Sequence, residues 1–202
     1  MNRIITLEVV ALMLFIISCS GSSTDTSRSV QNSSILSITG DFNAQKQGMA
    51  IYSTTTATLP GTAGQFYVWE IEIIGEEAVD GGDEVFTLSI MSVFLNEFLE
   101  KPETGSYEIG GDFLGNELTF YSVYEAAVFN SQFEIISEFR YTTLCESFSD
   151  ATGVLNITET GTNSVTGNFT VDAFYVNMDT SECSHDKKIS VSGEFTATKS
   201  EF

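Results

Sequence analysis

The phrase Val191-Ser192-Gly193-Glu194-Phe195-Thr196-Ala197 sets the terms for the whole chain. Its apolar residues fall on every second position, so Val191, Gly193, Phe195 and Ala197 share one face of an extended strand. The same wording stands at Val165-Thr166-Gly167-Asn168-Phe169-Thr170-Val171 and at Ile38-Thr39-Gly40-Asp41-Phe42-Asn43-Ala44. A looser copy is Ile109-Gly110-Gly111-Asp112-Phe113. Gly inside a strand weakens it and marks a bulge, a bend or a close backbone approach. On the same face as a Phe, it predicts a sheet coiled tightly around its core, each ring covering the gap a Gly leaves. The copies are short and unevenly spaced, so recurrent strand chemistry accounts for them as well as a true repeat does.

Alternation continues along the body. It predicts strands over 35–42, 48–59, 65–74, 84–93, 106–109, 117–125, 133–141, 154–159, 165–176 and 189–198. In the third, Tyr67, Trp69, Ile71 and Ile73 lie on one face against Glu70 and Glu72. In the seventh, Phe133, Ile135, Ser137 and Phe139 lie against Glu134, Ile136, Glu138 and Arg140. Residues 75–83 read as an acidic loop, 94–101 as a helical turn before Pro102, and Gly161-Thr162-Asn163-Ser164 as a hairpin turn. About ten closely spaced strands without a long helix mean an all-β domain. The expected form is a single antiparallel up-and-down meander closing into a barrel or β-sandwich. Closure would make residues 38–42 and 191–195 partners across the seam, and it would remove unpaired edges.

The N-terminus is an address. Residues 1–18 read as a secretory signal: Arg3 is its lone basic residue, and the apolar run from Val9 to Ile17 is too short for a bilayer span of about 20 residues. The run ends Ile16-Ile17-Ser18-Cys19, which resembles a bacterial lipobox. That resemblance implies that Cys19 becomes the acylated first residue of the mature chain, anchored to the cell envelope. Several acyl chains make a stable anchor where one would not. Residues 19–34 are rich in Ser and Thr and read as a flexible tether, with a reach of roughly 20 Å. The all-β domain is then 35–202. No Asp follows Cys19 directly, which tilts the expected location to the outer membrane.

Charge narrows the partners. The chain carries 28 acidic against 8 basic Lys and Arg residues, for a formal charge of −20. Arg3 and Glu8 cancel, so removing the signal leaves that figure unchanged. Nucleic-acid binders present basic patches, and this chain is the reverse. Membrane association therefore rests on the lipid anchor rather than on anionic headgroups. The expected partners are a small apolar ligand, if the interior is not filled, or a glycan or other envelope component. Nothing in the sequence fixes an oligomeric state.

Candidate chemistry is sparse. Cys145 and Cys183 are the two cysteines besides Cys19, and in an exported chain they are expected to pair. His185, the only histidine, stands in a polar stretch beside Ser184 and Asp186. Adjacency in one segment does not make a Ser-His-Asp triad, and no nucleophile elbow is present. One His leaves no ligand set for zinc. Asp80, Asp83 and Glu84 are weak Ca²⁺ candidates, because their spacing departs from the EF-hand pattern. Glu70 and Glu72 share an outward face without the separation that glycoside hydrolysis needs. Trp69 has the parity of the core. The expectation is a protein that is not an enzyme and uses no cofactor.

The chain resembles small Bacteroidota-type lipoproteins built on an uncharacterised all-β domain. The resemblance rests on Cys19, on Thr104-Gly105-Ser106-Tyr107 before a strand, on Gly153-Val154-Leu155-Asn156-Ile157-Thr158, and on the Gly-x-Phe strands that follow. It implies an envelope location and no assigned activity. The function expected is that of a non-enzymatic binding module, with a structural or adhesive surface protein of solid core as the alternative.

Overall fold

Period two dictates strands, and strands are what the chain forms. The computed structural model describes residues 32–58, 65–79, 82–95, 101–109, 119–145 and 152–200. They hold ten strands: β1 Ser33–Gly40, β2 Ala44–Thr58, β3 Gln65–Val79, β4 Gly82–Leu95, β5 Gly105–Ile109, β6 Thr119–Asn130, β7 Ile135–Thr142, β8 Gly153–Thr160, β9 Ser164–Val176 and β10 Cys183–Lys199. No described residue is helical.

The ladder closes on itself. From β1 it passes antiparallel through β2, β3, β4, β6, β7, β9 and β10, and β10 pairs with β1 again. The seam joins the expected strands, but of the expected segments only Ile38 and Val191 face each other: residues 192–195 lie opposite 34–37, and β1 ends with Gly40 opposite Ile189. Two features depart from a plain meander. β4 passes over β5 to pair with β6, while β5 lies parallel to β6 and antiparallel to β8. β10 also runs parallel to β2 for one short step. Strand β9 thus has two partners on one side: β8 along its first part and β7 at its last residues. The fold has two ends. β1 starts at one, the near end, and the β6–β7 and β9–β10 hairpins lie at the other, the far end.

Inward positions form rows across the strands. One row reads Leu36, Gly193, Phe169, Leu155, Tyr107, and the next reads Ser34, Phe195, Gly167, Ile157, Gly105. Small and large residues alternate along the second row; in the first, Gly193 alone is small, and the glycines of the two rows are offset, Gly193 beside Phe169 and Gly167 beside Phe195. A Cβ at Gly167 would lie 2.9 Å from Phe195 Cζ, and one at Gly193 would lie 3.0 Å from Phe169 Cε1. The ring-over-glycine expectation holds for these two copies. At the first copy it fails. Gly40 ends β1 with φ +119°, where a Cβ would meet the Lys188 carbonyl oxygen at 2.4 Å. Phe42 lies past the strand and packs on Phe139 at 5.6 Å. The copy at 109–113 lies outside the described residues beyond Ile109.

Several boundaries move. Strand β1 takes in Ser33 and Ser34, and Ser34 is buried, so the domain starts before position 35. Asn32 is already fixed: its Oδ1 accepts from the Ala50 amide at 2.7 Å. The acidic stretch 75–83 is mostly strand, because Gly75 pairs with Phe86 and Val79 with Gly82. Only Asp80-Gly81 separates the two strands, and Asp-Gly is a strong two-residue hairpin signal. Phe94 and Leu95 belong to β4 rather than to a helical turn.

Candidate functional site

An interior ligand requires interior volume, so the core decides first. Trp69, Tyr52, Tyr124, Phe120, Leu36, Ile38, Ile71, Ile73 and Leu155 are fully buried on the inward faces. Trp69 meets the Tyr107 ring edge-on at 5.8 Å. At the far end, Phe42, Phe139, Tyr141 and Tyr175 meet edge to face in sequence with centroids 5.6–6.0 Å apart. These rings close that end. Two hollows at the other end are open to solvent. One, of about 890 Å³, is lined by Glu159, Gly161, Asn163, Ser164, Thr198 and Lys199 among others. The second, of about 270 Å³, lies over Ser33, Ile35, Thr166, Asn168 and Glu194. The described wall of the first is more polar than apolar and that of the second is divided evenly, and both are open rather than enclosed as a site for a small apolar ligand would be.

The far end carries the more pronounced chemistry. The Tyr141 hydroxyl donates to Asp41 Oδ2 at 3.2 Å. Burial, then the charge of Asp41 and this bond, push the Tyr141 phenol up to about 12. Lys187 Nζ sits 4.6 Å over the Tyr175 ring, a cation–π contact. Cys145 and Cys183 are joined, with Cα atoms 5.8 Å apart, so the expected disulfide is present. It ties the segment after β7 to the start of β10.

His185 is placed differently from its expected loop. It lies within β10, in an irregularity where Ser184 pairs with Tyr175 and Lys188 with Phe174. Its ring packs on Phe174 at 5.3 Å. Asp172, on the outside of β9, gathers two hydroxyls and an ammonium instead: Thr152 Oγ1 donates at 3.0 Å and Lys188 Nζ at 3.1 Å to Oδ2, and the Ser190 hydroxyl donates to Oδ1. Burial raises the Asp172 carboxyl, but the bonds from Ser190, Lys188 and Thr152 outweigh it and the net shift is downward. This is a clasp across β8, β9 and β10 rather than a reactive group. Glu72 is raised by burial and then by Glu70. No described residues form a cluster of three metal-ligating side chains. Asp80 and Cys19 lie outside the described residues, and Asp83 and Glu84 belong to the backbone of β4.

Two hairpins project at the far end. Beyond Arg140, which pairs with Val176, no described strand lies on the outer edge of β7. There Phe133 is 83% exposed, Ile135 56% and Ile136 59%, while Met178 on the β9–β10 turn is 41% exposed. Alternation had placed Phe133 and Ile135 on a face with Phe139. A bulge breaks that parity: Ser137 pairs with Val128 and Ile135 with Phe129, leaving Ile136 over. Only Phe139 and Tyr141 then turn to the core. The adjacent pair Ile135-Ile136 was the one trace of this in the sequence.

The chain matches no family model, no curated protein and no solved structure.

Proposed function

We propose that this chain is a non-enzymatic cell-envelope lipoprotein, anchored at the outer membrane through acylated Cys19, whose all-β domain binds an envelope component at its outer surface. The observation that carries the reading is the packing of the described inward side chains. A small apolar ligand inside would need the volume that Trp69, Tyr52, Tyr124 and Phe120 already occupy. Binding is left to the exterior, where four of the six large apolar side chains exposed among the described residues (Phe133, Ile135, Ile136 and Met178) lie at the end opposite the start of β1, Ile35 and Met49 lying near that start. A structural or adhesive role is the second reading, favoured by the same solid core. The two differ in whether one defined partner exists.

Two measurements test the proposal. Cys19→Ala should move the protein from the membrane fraction to the soluble fraction; retention in the membrane would refute the anchor. Native mass spectrometry of the protein purified from its host should give the lipidated chain alone. A stoichiometric small-molecule adduct on the domain would refute the surface reading.

A further inference from the structure

The tip of the β6–β7 hairpin is built, and it is built around a residue that gains nothing from the fold. Asn130 organises the turn: its Oδ1 accepts from the amides of Gln132 and Glu134, both at 2.9 Å. The Phe133 amide donates to the Asn130 carbonyl at 2.9 Å, and the Asn130 amide donates to that of Glu134 at 2.9 Å. Phe133 therefore holds φ +60°, the left-handed position of a three-residue hairpin loop. Gly or Asn is suited to that position; a bulky side chain there is strained. The strain is not offset by burial, because the ring is 83% exposed. Below it, the Arg140 guanidinium donates twice to Glu125 Oε2, at 2.8 and 2.6 Å, across the hairpin stem. The bulge leaves Ile135 and Ile136 exposed beside the ring.

We infer that this hairpin is a docking finger, with Phe133 as the anchor, for a protein that carries an apolar pocket rimmed by basic side chains. The inference rests on reading the domain as a binding module. A strained, exposed aromatic on a rigid turn is the form of an interface anchor, since large rings in desolvated pockets dominate binding. The partner's charge follows from what surrounds the finger. Glu134, Glu138, Asp179, Glu182 and Asp186 are exposed at this end, whereas Arg140 is held by Glu125, Lys188 by Asp172, and Lys187 lies over the Tyr175 ring. Those carboxylates disfavour a lipid surface and favour a cationic rim. The bulge also makes the β7 edge a poor template for strand addition, which directs recognition to the side chains.

The test places a photo-crosslinking amino acid at Gln132, in the exposed turn, in the full chain within host cells. A second version carries it at Thr162, at the opposite end. We expect one discrete protein adduct from position 132. Adding Phe133→Asn should abolish that adduct and weaken binding to the purified partner at least tenfold. The same substitution should leave the melting temperature unchanged or higher, because Asn suits the left-handed turn. Glu134→Lys with Glu138→Lys should weaken binding as well, and added salt should weaken the wild type. An adduct that persists with Phe133→Asn overturns the inference, as does an adduct to lipid or glycan alone. A protein adduct from Thr162 only overturns the finger but keeps the binding module. No adduct from either position overturns both.

Discussion

Replacing Gly167 by Ala sets two effects against each other. Ala in place of Gly inside a strand is ordinarily stabilising by about 0.5–1 kcal/mol, because less backbone freedom is lost on folding. At Gly167 the new Cβ would stand 2.4 Å from the Asn156 carbonyl oxygen and 2.9 Å from Phe195 Cζ. The nearer neighbour is backbone, fixed in the β8–β9 ladder where Ile157 pairs with Gly167. Relief therefore means moving strands, and overpacking of this kind costs about 1–3 kcal/mol. The clash should win, leaving Gly167→Ala destabilised by roughly 1–2 kcal/mol. Phe195→Ala removes a buried ring and should cost about 3–5 kcal/mol. In the double variant the Cζ contact no longer exists, so the combined loss should fall short of the sum by roughly 0.5–1 kcal/mol. Gly161→Ala is the control, since its Cβ would meet only the movable Ser164 hydroxyl within 3 Å; its effect should stay within about 0.5 kcal/mol. Urea unfolding of the Cys19→Ala chain, followed by the fluorescence of the single Trp69, reads each value as a shifted midpoint at constant slope. If Gly167→Ala is neutral or stabilising, or if the two losses simply add, the ring does not cover the glycine and the packing account fails.

Two further predictions concern the far end. The Cys145–Cys183 bridge spans 38 positions; loop-closure entropy makes it worth about 4 kcal/mol, so Cys145→Ala with Cys183→Ala should lower the melting temperature by roughly 10 °C. A melting temperature that neither the variant nor reductant moves would show that the staple constrains nothing. Tyr141 has a folded-state pKa raised to about 12 above the ordinary 10.0, so its contribution is complete below pH about 10 and fades as pH climbs toward 12. Tyr141→Phe should flatten that alkaline decline in a pH series of unfolding curves, leaving the smaller share of Tyr107 and Tyr121, which are also raised. An alkaline limb identical in the variant would place the raised phenol elsewhere.

What could be read in the sequence, and what could not, divides along one physical line. Alternation reports which side chains leave water, so it found the inward faces: Trp69 with Ile71 and Ile73, Phe169 with Val171, Phe195 with Ala197, and the seam between β1 and β10. It is blind to events that cost no apolar burial. The pairing of β3 with β4 as far as Val79 and Gly82, the extension of β10 back to Cys183 and the use of Gly40 as a strand end are backbone choices made by neighbouring strands. The bulge at Ile136 is the sharpest case. One extra residue exchanges the two faces of everything on its far side, so the alternation that puts Phe133 and Ile135 on one face with Phe139 does not carry them to the core that Phe139 packs against. The candidate site lies just there. A binding surface must hold apolar groups in water until a partner arrives, so it has to be made of residues that break the rule by which cores are recognised. Phe133 breaks it twice, once by its exposure and once by a backbone conformation better suited to glycine, and alternation registers neither.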